Sequence, residues 1–197
     1  MNKFITKIVK LLLIVSSLYI LLGFLADGKT DPFYLRFTTP KQHSLILGTS
    51  RAAQGLIPEI LNEEINRSKF EGDIFNYSFT VLHSPFGKVY YNAIENKLDK
   101  KTKNGLFIIA VDPWSISSRT DIDNLRETNL ELAKINKFNS NPNYNYLRNA
   151  YQKSFFSLIL DKIDIDDKII LHNDGWLEIN INVDSSIIQK GAKEKLD

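Results

Sequence analysis

A chain of 197 residues, 43% hydrophobic and 11% aromatic, has room for one domain with a real core, which excludes global disorder and a second full domain. Its 25 Lys and Arg nearly balance 23 Asp and Glu, and the net +2 is scattered along the chain, which argues against nucleic acid as the main partner. With no cysteine there is no disulfide, thiolate metal site, Cys nucleophile or lipidated Cys.

The first element is apolar. Leu11 to Ala26 reads LLLIVSSLYILLGFLA without a charge, behind Lys3, Lys7 and Lys10. With Phe4, Ile5, Ile8 and Val9 added and the lysines snorkelling, the stretch approaches the roughly 20 residues that cross a bilayer. The lysine-rich end is then cytoplasmic and everything after Asp27 lies outside. A cleaved signal peptide has the same charged start and apolar middle, but bulky Phe24 two positions before Ala26 disfavours cleavage there. Residues 1–26 are therefore read as a membrane anchor, with secretion after cleavage as the alternative. A buried core helix ranks below both, because soluble helices seldom lack a polar face over this length.

Residues 27–43, with Pro32, Pro40 and several aromatics, read as a juxtamembrane connector, and 44–197 as an α/β domain with a mostly parallel sheet and flanking helices. Ser44 to Leu47 is the first strand, ending in Gly48-Thr49-Ser50, and Arg51 to Ile65 is helical, restarting at Pro58. Asp73 to Ser78 is a second strand and Lys88 to Leu98 a helix. Leu106 to Val111, nearly all apolar, is expected to be a central strand covered on both faces, stopping at Asp112-Pro113. Helices follow around Leu125 to Ile135 and Tyr146 to Leu160. Lys168 to Val183 reads as a hairpin with a two-residue turn at Asp174-Gly175, and the charged tail to Asp197 is expected to fray.

In open parallel sheets the functional crevice lies beyond the carboxyl ends of the strands. The residues there are Ser50, Asn76 to Ser78 and Asp112. A serine at a tight strand-to-helix turn exposes its hydroxyl beside a helix N-terminus, which favours developing negative charge. A plain N-cap is the competing role for Ser50.

These residues carry a resemblance. Leu45-Ile46-Leu47-Gly48-Thr49-Ser50-Arg51 is similar to the first block of the SGNH (GDSL-like) hydrolases, in the branch where Gly-Thr-Ser followed by Arg stands for Gly-Asp-Ser. Ile74-Phe75-Asn76-Tyr77-Ser78 resembles the second block, and Leu106 to Trp114 occupies the place of the third-block strand. The resemblance implies a flavodoxin-like three-layer fold and a Ser50 nucleophile that forms an acyl-enzyme, its amide serving the oxyanion hole. Arg51, Asn76, Asp112 and His83 are the accompanying crevice candidates. Asp112-Pro113-Trp114 stands where the family has Gly-x-Asn-Asp, so the third-block asparagine has no counterpart, and neither Ser78 nor Gly87 is assigned to the second-block glycine. The late Asp-x-x-His that supplies the base is also unmatched: none of His43, His83 and His172 has Asp three residues before it. The domain is accordingly expected to be incomplete at its C-terminus or catalytically degenerate.

Each remaining candidate has a plainer role beside the functional one. His83 reads as an improvised base or a loop histidine, His172 as a hairpin residue, and Asp112 as a site group or a turn aspartate. Trp114, Trp176, Tyr90 and Tyr91 suit sugar stacking or the core. Three scattered histidines make no metal site, and the glycines form no phosphate loop, so no cofactor is expected. The resemblance implies an esterase or O-acyltransferase acting on O-acyl esters of cell-surface glycans. The rival is a non-catalytic glycan-binding or envelope-assembly module on the same fold. A flavodoxin-like binding domain is a third reading, with nothing specific in its favour. The bilayer is the expected partner of the N-terminal helix.

Overall fold

A computed structural model of the chain describes residues 2–65, 69–80, 86–117, 138–151, 155–163 and 168–180. The expected helix at 125–135, the charged tail and His83 lie outside them. Helix α1 (Asn2–Gly23) opens the chain. Within it Lys3–Gly23, 21 residues, is long and apolar enough to cross a membrane; at 1.5 Å per residue it reaches about 30 Å. None of this segment's most apolar window is buried in the protein, so α1 is no core helix. Among the described residues its last turns meet the domain, Tyr19 and Ile20 against Tyr144.

The domain is a mixed α/β arrangement around a parallel three-stranded sheet. Strand β1 (Ser44–Leu47) lies in the middle, flanked by β2 (Ile74–Asn76) and β3 (Phe107–Ile109). Leu45 pairs with Phe75 on one side and Phe107 on the other. Alternation along β1 sends Leu45 and Leu47 to one face and Ile46 to the other. Ile46 meets Ile74 and Ala52 under α3 (Ser50–Gly55) and α4 (Pro58–Glu64), with Pro58 in the first helical turn as expected.

The opposite face is aromatic. Leu45, Leu47, Phe75, Tyr77 and Phe79 pack against α5 (Lys88–Lys97), where Tyr90, Ala93 and Lys97 recur at helical spacing as its buried stripe. Residues 27–43 do more than connect. They contain α2 (Tyr34–Thr38), and Tyr34 and Phe37 are buried in this same core. The Arg36 guanidinium is fully buried too. It donates to the carbonyl oxygens of Pro32 (2.9 Å) and Gly175 (2.8 Å) and lies over the rings of Phe79 and Phe33. Burial lowers its pKa to about 10, so it remains a cation at neutral pH.

After α6 (Pro113–Ile116), the expected helix from Tyr146 to Leu160 is two helices, α7 (Tyr144–Asn149) and α8 (Phe155–Ile163). Asn143 caps α7 by accepting the Tyr146 amide (3.0 Å), and Ala150 leaves helical backbone at φ −124. Strands β4 (Ile169–Leu171) and β5 (Leu177–Ile179) form the expected hairpin. Its connection has five residues rather than two, because the loop docks on the sheet instead of turning freely. The Asp174 carbonyl accepts the Asn76 amide (2.8 Å), and the Gly175 carbonyl accepts from Arg36. Gly175, at φ 85, also packs so close that a Cβ would collide with the Asn76 backbone.

Strand β3 departs from expectation. Among the described residues it is not covered on both faces: Leu106, Ile108 and Ala110 join the aliphatic side, whereas Phe107, Ile109 and Val111 are 45%, 56% and 57% exposed. Among the described residues β3 is an edge strand, and α5 covers only β1 and β2 on that face.

Candidate functional site

The carboxyl end of β1 runs straight into Gly48-Thr49-Ser50 and then α3. Gly48 is required by closeness: a Cβ there would stand 2.9 Å from both the Ala110 carbonyl oxygen and the Ala52 Cβ. The bend is pinned from beneath by Tyr90. Its hydroxyl donates to the Tyr77 carbonyl (2.8 Å) and accepts the Gly48 amide (3.3 Å). Burial raises the Tyr90 pKa well above the usual tyrosine value, so the hydroxyl keeps its proton for that bond. Tyr90 is thus a core residue that shapes the turn, not a stacking platform.

Thr49, not Ser50, is the N-cap of α3, and its side chain makes no cap bond. Its hydroxyl instead donates to Asp112 Oδ2 (2.7 Å), tying the loop after β3 to the loop after β1. Ser50 is the first helical residue and half-buried, and among the described residues its hydroxyl has no hydrogen-bond partner. The plain-cap role therefore falls away from Ser50. First-turn amides have no partner within the helix, so the hydroxyl sits beside unsatisfied backbone donors.

The strand order β2-β1-β3 places this serine at the point where the connections diverge to opposite sides of β1. That switch point is where doubly wound sheets open their crevice. Asp112, three residues past β3, is joined to this turn through Thr49, but its polar atoms have structural work. Oδ1 accepts the Ser115 amide (3.1 Å), its amide donates to Ser115 Oγ (3.2 Å), and Ser115 Oγ donates to its carbonyl (2.7 Å). Asp112 closes the first turn of α6 and braces Thr49. Arg51 is exposed on the outer side of α3.

Asn76 does not face the crevice. It is fully buried, and Nδ2 donates to the carbonyls of Ala52 (2.9 Å) and Leu56 (2.9 Å) while Oδ1 accepts the Ser78 amide (3.1 Å). It ties off the carboxyl end of α3, where carbonyls otherwise go unpaired. Ser78 is also buried, and Gly87 is the N-cap of α5.

Neither described histidine serves Ser50. His43 precedes β1, at the amino end of the strand, with Nδ1 on Thr102 Oγ1 (2.7 Å). His172 lies in the hairpin loop, stacked on Trp176 (4.6 Å) with Nε2 on Glu178 (2.8 Å). Trp176 donates its indole N–H to the Gln54 carbonyl (2.9 Å) at the far end of α3, and Tyr91 is exposed on α5.

Sequence reasoning missed two cations buried among the described residues, Arg36 and Lys97. Lys97 is fully buried, donating to the Thr39 carbonyl (2.7 Å), Thr39 Oγ1 (2.7 Å) and Asn139 Oδ1 (3.3 Å), with its ammonium over the Phe75 ring at 4.9 Å. Burial, aided by the charge on Arg36, pushes its pKa down to about 7. The one available signal was its place on the Tyr90-Ala93-Lys97 stripe. Compared with protein-family models, with curated proteins and with solved structures, the chain finds no match in any of the three.

Proposed function

We propose that the chain is an N-terminally membrane-anchored, extracytoplasmic esterase or O-acyltransferase of the SGNH type, acting through Ser50 on O-acyl esters of envelope glycans. The observation that carries this reading is a half-exposed serine hydroxyl, unpartnered among the described residues, at the first turn of α3 and the switch point of a parallel sheet. The SGNH three-layer fold and the glycan class come from the sequence resemblance, and the sheet order agrees with the former.

In the proposed reaction Ser50 Oγ attacks the ester carbonyl as a base removes its proton, and the sugar hydroxyl leaves with a proton returned to it. Water or a second hydroxyl then takes the acyl group from the serine. First-turn amides would stabilise the oxyanion, an arrangement in which one donor is worth roughly a hundredfold or more in rate. Tyr90 and the Thr49–Asp112 bond hold the turn in shape without touching substrate. Of the three histidines, His43 and His172 are committed elsewhere, leaving His83 as the candidate base within this chain.

The test is labelling of the full chain, in detergent, with a fluorophosphonate serine probe. Labelling is expected in the natural sequence and lost in Ser50→Ala, with His83→Ala strongly reducing it. A folded protein that takes no label would favour the rival, a binding or assembly module on the same fold.

A further inference from the structure

Where α1 leaves the proposed membrane, the domain clasps it. The Tyr144 ring stacks on Tyr19 (centroids 5.7 Å apart) and its hydroxyl donates to the Ile20 carbonyl (2.6 Å), one of the last-turn acceptors of α1. Gly23 permits this, since a Cβ there would overlap the Tyr144 ring. Tyr19 lies one turn from the end of the apolar helix, the level at which aromatic side chains mark a membrane–water interface.

The same end of the domain carries more apolar surface than a free surface needs. Helix α8 contacts α1; its Leu158 is buried in the aromatic core while Ile159 and Leu160 stay 37% and 49% exposed, and Phe24 beside the helix exit is 62% exposed. Lys162 of α8 pairs with Asp27 just past α1, holding α8 at that level. Helix α8 thus offers apolar side chains where a bilayer surface would lie.

Between Tyr19 and α7 opens a polar cleft of about 580 Å³, lined by Ser140, Pro142, Tyr144, Asn145, Arg148 and Asn149. Helical spacing places Tyr144, Asn145, Arg148 and Asn149 along one side of α7, while Tyr146 and Leu147 turn into the core. Arg148 is exposed, and among the described residues no carboxylate or other group pairs with its guanidinium. The Ser140 hydroxyl is likewise unpaired there. The Asn149 side-chain amide is engaged with the Asn145 carbonyl (2.9 Å), so the recognising pair is the planar guanidinium and the Ser140 hydroxyl, a chemistry suited to phosphate.

We infer that this cleft holds the phosphodiester headgroup of an anionic phospholipid, with Arg148 as its counter-charge and the Tyr19–Tyr144 pair as its wall. The inference rests on α1 being a retained membrane anchor and is independent of Ser50. The source is a membrane lipid, not free phosphate, because Tyr19 of α1 lines the cleft and so sets it at the helix exit, where a bilayer surface would lie.

The experiment follows thermal unfolding of the full chain in uncharged detergent during titration with short-chain phosphatidylglycerol, short-chain phosphatidylcholine or inorganic phosphate. Phosphatidylglycerol is expected to raise the midpoint saturably, and phosphatidylcholine and phosphate much less. Arg148→Ala is expected to weaken the apparent affinity about fivefold, as befits one basic residue near an anionic headgroup. Arg148→Lys should recover part of that loss. Arg148 is exposed, so the lipid-free midpoints of these variants report their folding directly. An equal phosphatidylglycerol response in Arg148→Ala and the natural sequence, or an equal response to inorganic phosphate, overturns the headgroup site. Alkaline carbonate washing of cell membranes separates the two readings. A chain that washes off refutes the anchor and the lipid site together, whereas a resistant chain indifferent to Arg148→Ala refutes the lipid site alone.

Discussion

Strands β1 and β3 are neighbours of nearly the same composition, Leu-Ile-Leu against Phe-Ile-Ile, yet their surroundings are opposite. Leu45 and Ile46 are fully buried and Leu47 is 6% exposed, whereas Phe107 and Ile109 across the ladder are 45% and 56% exposed. An apolar run predicts a strand because β-branched and aromatic side chains suit a pleated surface. How many neighbours the strand will have is decided by elements far away in the chain. For β1 those are α2 and α5 on one face and α3 and α4 on the other.

The largest expected effect is at β1. Leu45→Ala should cost about 2–5 kcal/mol, the range for a buried leucine whose surroundings cannot collapse into the hole. Urea unfolding in detergent measures it, and a loss below about 1 kcal/mol would mean that the aromatic face is loosely packed.

A second contrast lies between Asn76 and Ser50, both placed at strand carboxyl ends by sequence reasoning. Asn76→Ala would leave the Ser78 amide unpaired in the interior and the Leu56 carbonyl without its donor, while the Ala52 carbonyl would keep only the Leu56 amide. A loss of about 2–3 kcal/mol is expected, since unpaired buried groups cost their full desolvation. Ser50→Ala removes no bond among the described residues and should leave stability within about 0.5 kcal/mol while abolishing probe labelling. Equal destabilisation by the two would return Ser50 to a structural role.

The two buried cations extend the contrast to pH. Lys97, with a folded pKa near 7, keeps its proton in the unfolded chain up to the ordinary lysine range. Between pH 7 and about 10 the unfolded state therefore binds more protons, and stability rises with pH by at most about 1.4 kcal/mol per unit. Below pH 7 both states are protonated and the contribution is flat. The comparison to make is the natural sequence against Lys97→Met, which should lack this rise. Its three acceptors and the Phe75 ring favour the ammonium, so a slope well below the limit would show them offsetting desolvation. Arg36, at about 10, adds nothing below pH 9.

Much of this architecture was legible because its causes are local. The β1–Gly48–α3 turn, the restart at Pro58 and the Lys88 helix follow from apolar runs and punctuation within a few residues. The hairpin was legible as a hairpin, but its five-residue loop was not, because that geometry is set by Asn76 and Arg36, about 100 and 139 positions away. Arg36 was hidden for the same reason: an arginine in a proline-flanked stretch reads as solvent-facing unless the carbonyl it meets is known. At the site, Ser50 was legible from its turn. The Thr49–Asp112 brace and the Tyr90 pin were not, since each joins side chains that only the folded sheet brings together.

The smallest expected effect is at β3. Ile109 lies on β3 in the position that Leu47 holds on β1, but more than half of it meets solvent. Ile109→Thr keeps the branched Cβ that suits a strand and removes only apolar surface that is largely wet already. The expected loss is below about 0.5 kcal/mol by urea unfolding. Phe107→Thr, on the same face but slightly more than half buried, should lose more, about 1 kcal/mol. Losses of 2 kcal/mol or more at both, approaching the ~2–5 expected at Leu45, would show that this face is covered in the working protein. Strand β3 would then be an interior strand like β1, and the difference between them would belong to whatever packs on Phe107 and Ile109 rather than to the strands.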